Sequence, residues 1–588
     1  VLKLINFCKK NKFCLALVAI FLIGAFLRFY HFSDWLHFEL DQSRDAKIID
    51  LAIENGIGNL PLLGPKAAGS FLRLGPIFYY FNYLSALIFG NTPTGIAIIT
   101  LIFGILALPI FYLFIREYFD KKISLGLLLI FSTSLFLIIY SRFSWNPNAL
   151  PLFILLTFFC LLKTVQRDNQ RAGWWLIGSA FSLSIASQLH FLAFVSVPMM
   201  VFIFLVIKRP RIKFHFWILA FLVIILTYAP AIANDFLTGG KNISQLGKVT
   251  QEKSEKNQNA LWEKVIRNVK ENSLGHFLIL SGQRGEFPKF DLRVESFVAY
   301  NKKNQSYFFS GILSLLIFIL GVWLLFRRLF SEKDTRKKNF LLLNTTWLII
   351  AFGIFTPLAF NISPRFFLVI CGLPFVFLGL IWELILKKIS APRAWTLILM
   401  IILILTFLNL QKTFQRFSEY AKASKESFEI EPDRFLKEKT RVTLEQQNLI
   451  IDYVSSFYQK NNFPIYLNSD PQYRRSLFFT IDKFAIPRDD MRNLSSAKKL
   501  YRQGNYFLVY PTLSNWQKDL DKYSESYSLI GKKEFGTLTI LHLEPKPEMI
   551  NEEKQTFEPR EKSKSAPGVP ERYNWEQIFS ETESDDEN

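Results

Sequence analysis

The run Glu39-Leu40-Asp41-Gln42-Ser43-Arg44-Asp45-Ala46 places three carboxylates and a guanidinium directly after the first long apolar stretch of the chain. Ionisable groups at a membrane boundary are costly unless they face water or a partner. Asp41 and Asp45 stand four apart, so on a helix starting near Gln42 they share a face, with Arg44 beside them. Two roles fit that spacing. The acids can cap a helix and close a surface ion pair, because carboxylates are favoured in a first turn. Alternatively, Asp41 is a general base at the mouth of an intramembrane cavity. Arg142, at the edge of a later apolar stretch, can contact a phosphate or carboxylate, or stand as an ordinary boundary arginine. Gln188 and His190 lie between two such stretches and read first as packed or hydrogen-bonded side chains. Tyr79 and Tyr80 read most simply as interfacial anchors.

The elements that must position these residues are about eleven apolar segments, most of them near the roughly 20 residues a span requires. They fall at 13–30, 94–115, 123–141, 148–163, 173–189, 191–207, 215–233, 307–326, 339–360, 366–386 and 394–411. Nearly every second gap is basic: Lys9-Lys10-Asn11-Lys12, Arg116 with Lys121-Lys122, Lys163 with Arg167 and Arg171, Lys208 to Lys213, Arg327 to Lys338, and Lys387-Lys388 with Arg393. Cytoplasmic loops retain positive charge, so these gaps lie inside together with the N-terminus. Residues 31–93, 142–147, about 190, 234–306, 361–365 and everything after 411 are then extracytoplasmic. The segment Gly75 to Gly90 is too short to span comfortably, and counting it would invert every later loop. It is read as a helix on or dipping into the outer membrane surface.

Composition agrees with a polytopic α-helical membrane protein. Half of the 588 residues are hydrophobic, and 61 are Phe. Much of the formal charge of +20 sits in the topology-setting loops, so it does not imply a nucleic-acid partner. Cys8, Cys14, Cys160 and Cys371 fall at the N-terminus or within apolar spans, without a disulfide framework or a CxxC metal motif. The first span lacks a small-residue cleavage site and reads as a retained anchor. Beyond 411 the chain reads as soluble. Leu444 to Lys460 has helical apolar spacing, as do Ser495–Arg502 and Trp516–Tyr523, while 463–468, 506–511 and 537–543 are β-rich. Residues 412–544 are therefore expected to form a small extracytoplasmic α/β domain, and 545–588 a disordered charged tail.

Several segments carry a family likeness in their order and sidedness. They are the acidic cluster after span one, Leu63-Gly64-Pro65, Leu74-Gly75-Pro76 through Phe81, the turn Arg116 to Lys122, Tyr140-Ser141-Arg142, and Pro364-Arg365-Phe366-Phe367. Together they resemble the GT-C superfamily of polytopic glycosyltransferases, specifically family 39 with its protein mannosyltransferase and aminoarabinose transferase relatives, over about residues 10–410. The resemblance implies a GT-C-like domain over 1–411 that passes a sugar from a polyprenyl-phosphate donor in the plasma membrane to an extracytoplasmic acceptor. It maps the catalytic carboxylate onto Asp41, with Asp45 in support, and donor-phosphate contacts onto Arg365, Arg142 and Arg44. Glu286, His190, Gln188, Tyr79 and Tyr80 are the implied acceptor or sugar contacts.

The departures from the family pattern bear on the chemistry. Many relatives have Asp-Glu where this chain has Asp41-Gln42, and a His-Pro-Pro segment where it has Leu74-Gly75-Pro76. The second outer loop, Trp145-Asn146-Pro147-Asn148, offers amides where distant relatives hold a divalent metal with acids. Hard cations prefer carboxylate oxygens, so a reaction without metal or other cofactor is expected. Two other functions remain open: a transporter or flippase of lipid-linked glycans, which would show repeats and broken midplane helices, and a non-catalytic envelope assembly protein, which would give Asp41 no special role.

Overall fold

The computed structural model describes residues 11–67, 71–166, 169–247, 259–288, 294–497, 500–550 and 572–583. Cys8, Lys9-Lys10 of the first basic cluster, Arg167 and most of the expected tail lie outside the described residues. Among the described residues, eight helices are long and apolar enough to cross a membrane, from Lys12–Phe29 to Ala391–Ala423. A ninth forms if Pro364–Ile370 and Leu373–Lys388, bent by 60°, are taken as one broken span. The chain is an integral membrane protein built mainly of helices. Phe214–Leu237 shows why: it is apolar over most of its length and buries only Ala220, Pro230 and Asn234, so its remaining apolar surface suits lipid.

The other two of the eleven expected spans differ from the simple apolar run. Segment 123–141 divides into Lys121–Thr133 and Leu135–Tyr140 at Ser134. The freed backbone is satisfied by Asn409, whose Oδ1 accepts from the Leu135 amide at 2.9 Å while its Nδ2 donates to the Leu280 carbonyl at 2.8 Å. A break inside a bundle persists only when neighbouring helices supply such partners. Ala172–Leu189 is long enough, but Ser179, Ser182, Ser184, Ser187 and Gln188 dilute its apolar character. The expected outer loop 234–306 also contains the helix Leu261–Ser281, whose second half is buried in the bundle. Ile77–Phe89, at 13 residues, rises only about 20 Å. That is shorter than the roughly 30 Å hydrocarbon core, in keeping with a surface helix.

The helix Ala391–Ala423 runs unbroken past the composition change at 411. Its 33 residues reach about 50 Å, beyond a bilayer core, and carry Arg416 into a buried ionic network. Arg416 Nη2 lies 3.0 Å from Asp433 and 3.2 Å from Glu438. Arg441 is 3.0 Å from Asp433, 2.8 Å from Glu419, and also paired with Glu438. Removing one partner strands the others without compensation. Arg416→Ala is therefore expected to cost about 3–5 kcal/mol of stability in urea unfolding of the detergent-solubilised protein. The double variant with Asp433→Asn should recover part of that loss, and an unchanged unfolding midpoint would show the network to be dispensable.

The C-terminal domain has a five-stranded sheet in the order β2-β1-β3-β5-β4, with β1 Ile465–Ser469, β2 Arg488–Asp490, β3 Asn505–Pro511, β4 Tyr527–Phe535 and β5 Leu538–Pro545. β1 is parallel to β2 and β3, and β5 is antiparallel to β3 and β4. The three expected strands form its centre. β4 is a mostly exposed edge bearing Lys532, Lys533 and Glu534, the composition that discourages edge-to-edge pairing. The helix expected at 495–502 lies earlier, at Met491–Ala497, and the unanticipated helix Pro471–Lys483 packs against the first-loop helix Leu40–Asn55. The domain also bonds to the segment just before that helix: the amides of Leu444 and Glu445 donate to the carbonyls of Leu36 and Asp34, and the Gln447 side-chain Nε2 donates to the Phe38 carbonyl.

The tail is not disordered along its whole length. The Tyr573 carbonyl accepts from the Leu62 amide at 2.9 Å, and Trp575–Glu583 is helical. Trp575 Nε1 donates to the Tyr80 hydroxyl at 3.0 Å. Aromatic side chains at 573, 575 and 579 give this short stretch the apolar content that the charged residues before it lack.

Candidate active site

The first-loop helix begins at Leu40 with Gln42 turned back on its own start, where Oε1 accepts from the Glu39 amide at 3.1 Å. That capping contact is why Gln42 is buried and points away from Asp41. Asp41 is about two-fifths exposed, at 43%, and Arg44 34%. Asp41 Oδ1 accepts from Arg44 Nη1 at 2.9 Å, and Oδ2 accepts from Trp145 Nε1 at 3.1 Å. Arg44 Nε also reaches Asp45 Oδ1 at 2.8 Å, so one guanidinium ties both carboxylates together. The capping and ion-pair reading is thus realised, and Asp41 is nevertheless left open to solvent.

Asp45 lies beneath, 1% exposed, with Oδ1 also accepting from the Tyr79 hydroxyl at 3.3 Å and Oδ2 without a hydrogen-bond partner. Burial pushes its carboxyl up to about 6, against the opposing pull of Arg44. A group whose pKa is raised on folding binds its proton more tightly in the native state. Stability from this site is therefore lost as pH rises from the ordinary carboxylate range through about 6. Melting curves between pH 4 and 7 should show that loss in the wild type and a flatter profile in Asp45→Asn; parallel profiles would contradict it.

The structure sorts the remaining expected residues. Arg365 belongs with Asp41: its guanidinium lies 4.8 Å from the centre of the Trp145 ring, the same indole that donates to Asp41. Phe366 follows, 5.5 Å from the His190 ring. His190 caps the helix Phe191–Lys208, its Nδ1 accepting from the Leu192 amide at 3.2 Å. Gln188 is fully buried, accepting from the Ile77 amide at 3.4 Å and donating to the carbonyls of Ser184 and Thr227. It anchors the start of the helix bearing Tyr79. A Cβ at Gly75 would come within 2.1 Å of Gln188 Oε1, so this close approach requires the glycine that stands in Leu74-Gly75-Pro76. Tyr79 faces Asp45, whereas Tyr80 faces Pro61 and the C-terminal Trp575.

Two expected residues lie elsewhere. Arg142 is buried with its guanidinium on the carbonyls of Leu27, Arg28 and His31, and over the Phe417 ring at 5.0 Å. It satisfies the free carbonyls at the end of the first helix instead of facing a ligand. Glu286 pairs with Arg284 at 3.1 Å and Arg434 at 3.6 Å, and accepts from Tyr300 at 3.1 Å. Arg434 also lines a separate cavity of about 240 Å³ with Arg267, Glu271, Pro364 and Lys437.

A cationic cradle beside Tyr79 escaped the sequence reading. Arg73 and the tail residue Arg572 join Arg44 there, outnumbering Asp41 and Asp45 among the described residues, and the exposed Lys66 lies near Arg73. Arg73 is lowered to about 10 by burial and then by repulsion from Arg572, while burial and Arg73 together lower Lys66. Arg73 Nε is buried without a partner, and Nη1 donates to the Gly64 carbonyl at 3.3 Å. Mutually repelling cations with an open donor make a site suited to an anion. Arg73 immediately before Leu74-Gly75-Pro76 was the available signal; Arg572 had none, being more than 490 positions from its neighbours in the fold.

Comparisons with known proteins bear on this arrangement. Residues 74–233 match the family described as dolichyl-phosphate-mannose-protein mannosyltransferase. No curated protein matches the sequence. The structure of ArnT from Cupriavidus metallidurans in the apo state aligns with 92% of this chain and 99% of its own, with a TM-score of 0.52 and 10% identity. The same protein bound to undecaprenyl phosphate aligns with 92% and 99%, with a TM-score of 0.50 and 9% identity. An oligosaccharyltransferase from Archaeoglobus fulgidus, in complex with Zn and sulfate, aligns with 92% of this chain and 74% of its own, at a TM-score of 0.48 and 13% identity.

Proposed function

We propose that this integral membrane protein, which has the GT-C fold, is a glycosyltransferase that moves a sugar from a polyprenyl-phosphate donor to an extracytoplasmic acceptor. One observation carries the reading: the accessible carboxylate Asp41, held by Arg44 and Trp145, stands on the helix whose buried Asp45 meets Tyr79, beside the cations Arg73 and Arg572. Undecaprenyl phosphate bound to the ArnT structure adds support for a lipid-phosphate donor.

In the transfer step Asp41 takes the proton of the acceptor hydroxyl while that oxygen bonds to the anomeric carbon. The bond from the anomeric carbon to the phosphate oxygen breaks, and the electron pair leaves with the polyprenyl phosphate. Arg73, Lys66 and Arg572 stabilise that growing charge. Arg44 orients Asp41 and is itself fixed by Asp45, so it serves the base more directly than the phosphate. Arg365, held on Trp145, remains available on the Asp41 side. The step is read as metal-independent, because the second outer loop meets Asp41 with an indole N–H and turns Asn146 and Asn148 onto the carbonyls of Leu189 and Phe143.

The charge pattern supports a plasma-membrane protein with its N-terminus in the cytoplasm and the α/β domain outside. Because that domain packs on the helix bearing Asp41, it braces the site from the outer side. Purified protein in proteoliposomes with a labelled polyprenyl-phosphate sugar tests the reading. Release of polyprenyl phosphate coupled to sugar transfer is expected; movement of intact donor across the bilayer without cleavage would identify a flippase instead.

A further inference from the structure

A second cluster lies where the first loop, the linker after Ala423 and the α/β domain meet. His37 and Glu39 precede the helix Leu40–Asn55, and Glu438 comes from the linker about 400 positions later. His37 Nδ1 is 3.0 Å from Glu438 Oε1 and 3.5 Å from Glu39 Oε1, and the three ligand atoms all lie within 4.8 Å of one another. Their side chains are 13%, 12% and 2% exposed for His37, Glu39 and Glu438.

Each carboxylate is held from behind. Glu39 Oε2 accepts from Gln472 Nε2 at 2.6 Å, and Glu438 Oε2 faces Arg416 and Arg441. The His37 ring rests against Phe143 at 4.9 Å. Outer partners of this kind orient ligands toward a metal. A single imidazole N–H cannot bond well to two carboxylates, whereas one cation between the three ligand atoms satisfies all of them. Charge points the same way: Glu39, Glu438, Asp433 and Glu419 outnumber Arg416, Arg441 and His37 in the linked network, even with the imidazole protonated.

We propose that His37 Nδ1, Glu39 Oε1 and Glu438 Oε1 bind one divalent first-row transition-metal ion, of which Zn²⁺ is the representative, as a structural centre joining the first loop to the linker. A nitrogen with two carboxylate oxygens selects this class over Mg²⁺ and Ca²⁺, which take all-oxygen shells. Tetrahedral ligands at about 2.1 Å from zinc sit about 3.4 Å apart, near the two measured separations. The ion would fasten the cap of the helix carrying Asp41 without touching the reacting atoms, so its binding is separable from sugar transfer.

The test uses full-length protein in detergent, freed of any affinity tag, stripped with chelator and titrated with Zn²⁺ or Co²⁺. Close to one ion per chain is expected by elemental analysis, with a Co²⁺ visible spectrum of low-symmetry coordination and a raised melting temperature. Glu39→Gln and His37→Phe should each weaken binding by at least about tenfold, while Asp41→Asn should bind as the wild type does. Glu39→Gln is the deciding variant, because Glu438 also neutralises Arg416 and Arg441 and its loss threatens folding. No bound ion, equal binding by Glu39→Gln and His37→Phe, or preference for Mg²⁺ or Ca²⁺ would overturn the assignment.

Discussion

Asp41→Asn is expected to lower sugar transfer by on the order of a hundred- to ten-thousandfold, the range for a lost general base. The substitution keeps the side chain's shape, and an amide oxygen can still accept from Trp145 Nε1. It cannot take the acceptor proton, and it no longer balances Arg44, which keeps only Asp45. The loss should therefore appear in kcat, with donor binding and the melting temperature close to wild type. Transfer at the wild-type rate by a correctly folded Asp41→Asn protein would refute the base assignment.

Arg73→Ala should produce the second large effect, a fall in kcat on the order of a hundred- to a thousandfold with a smaller rise in KM for the donor. The asymmetry follows from the chemistry, since charge builds on the phosphate as the anomeric bond breaks, so a cation there stabilises the transition state more than bound donor. Arg73→Lys keeps the charge but loses the fork of donors and should fall between. Arg142→Ala provides the contrast. Its side chain closes the first helix, so melting temperature should drop without a selective change in donor kinetics. Equal donor kinetics in Arg73→Ala and wild type would remove the cradle from the reaction.

Much of the fold could be read from local patterns. The expected helix within Gly75–Gly90 is Ile77–Phe89, and β-rich runs became β1, β3 and β5. The span count was less legible at Ser134, because partners distant in sequence, Asn409 on the Leu135 amide and Arg28 on the Ser132 carbonyl, make that break tolerable. In the candidate site, Asp41, Asp45, Arg44 and Arg365 were named and do assemble around Trp145 and Tyr79. Arg142 and Arg365 looked alike as boundary arginines. One meets helix carbonyls and the other an indole face, a distinction carried by neighbours rather than by either residue.

Residue order alone is enough for the membrane class, the order of apolar segments, the change of composition into the C-terminal domain and the carboxylate pair four apart on one helix. These follow from sums over neighbouring residues, where hydropathy, charge and helical period act locally. Tertiary structure alone decided which ionisable groups share a site. It turned Gln42 into a cap, withdrew Arg142, brought Arg73 and Arg572 beside Tyr79, and set Glu438 against His37 and Glu39. Partner choice for a buried charge depends on what the fold carries to within a few ångströms, because desolvation makes an unpaired charge costly wherever its partner lies in the chain.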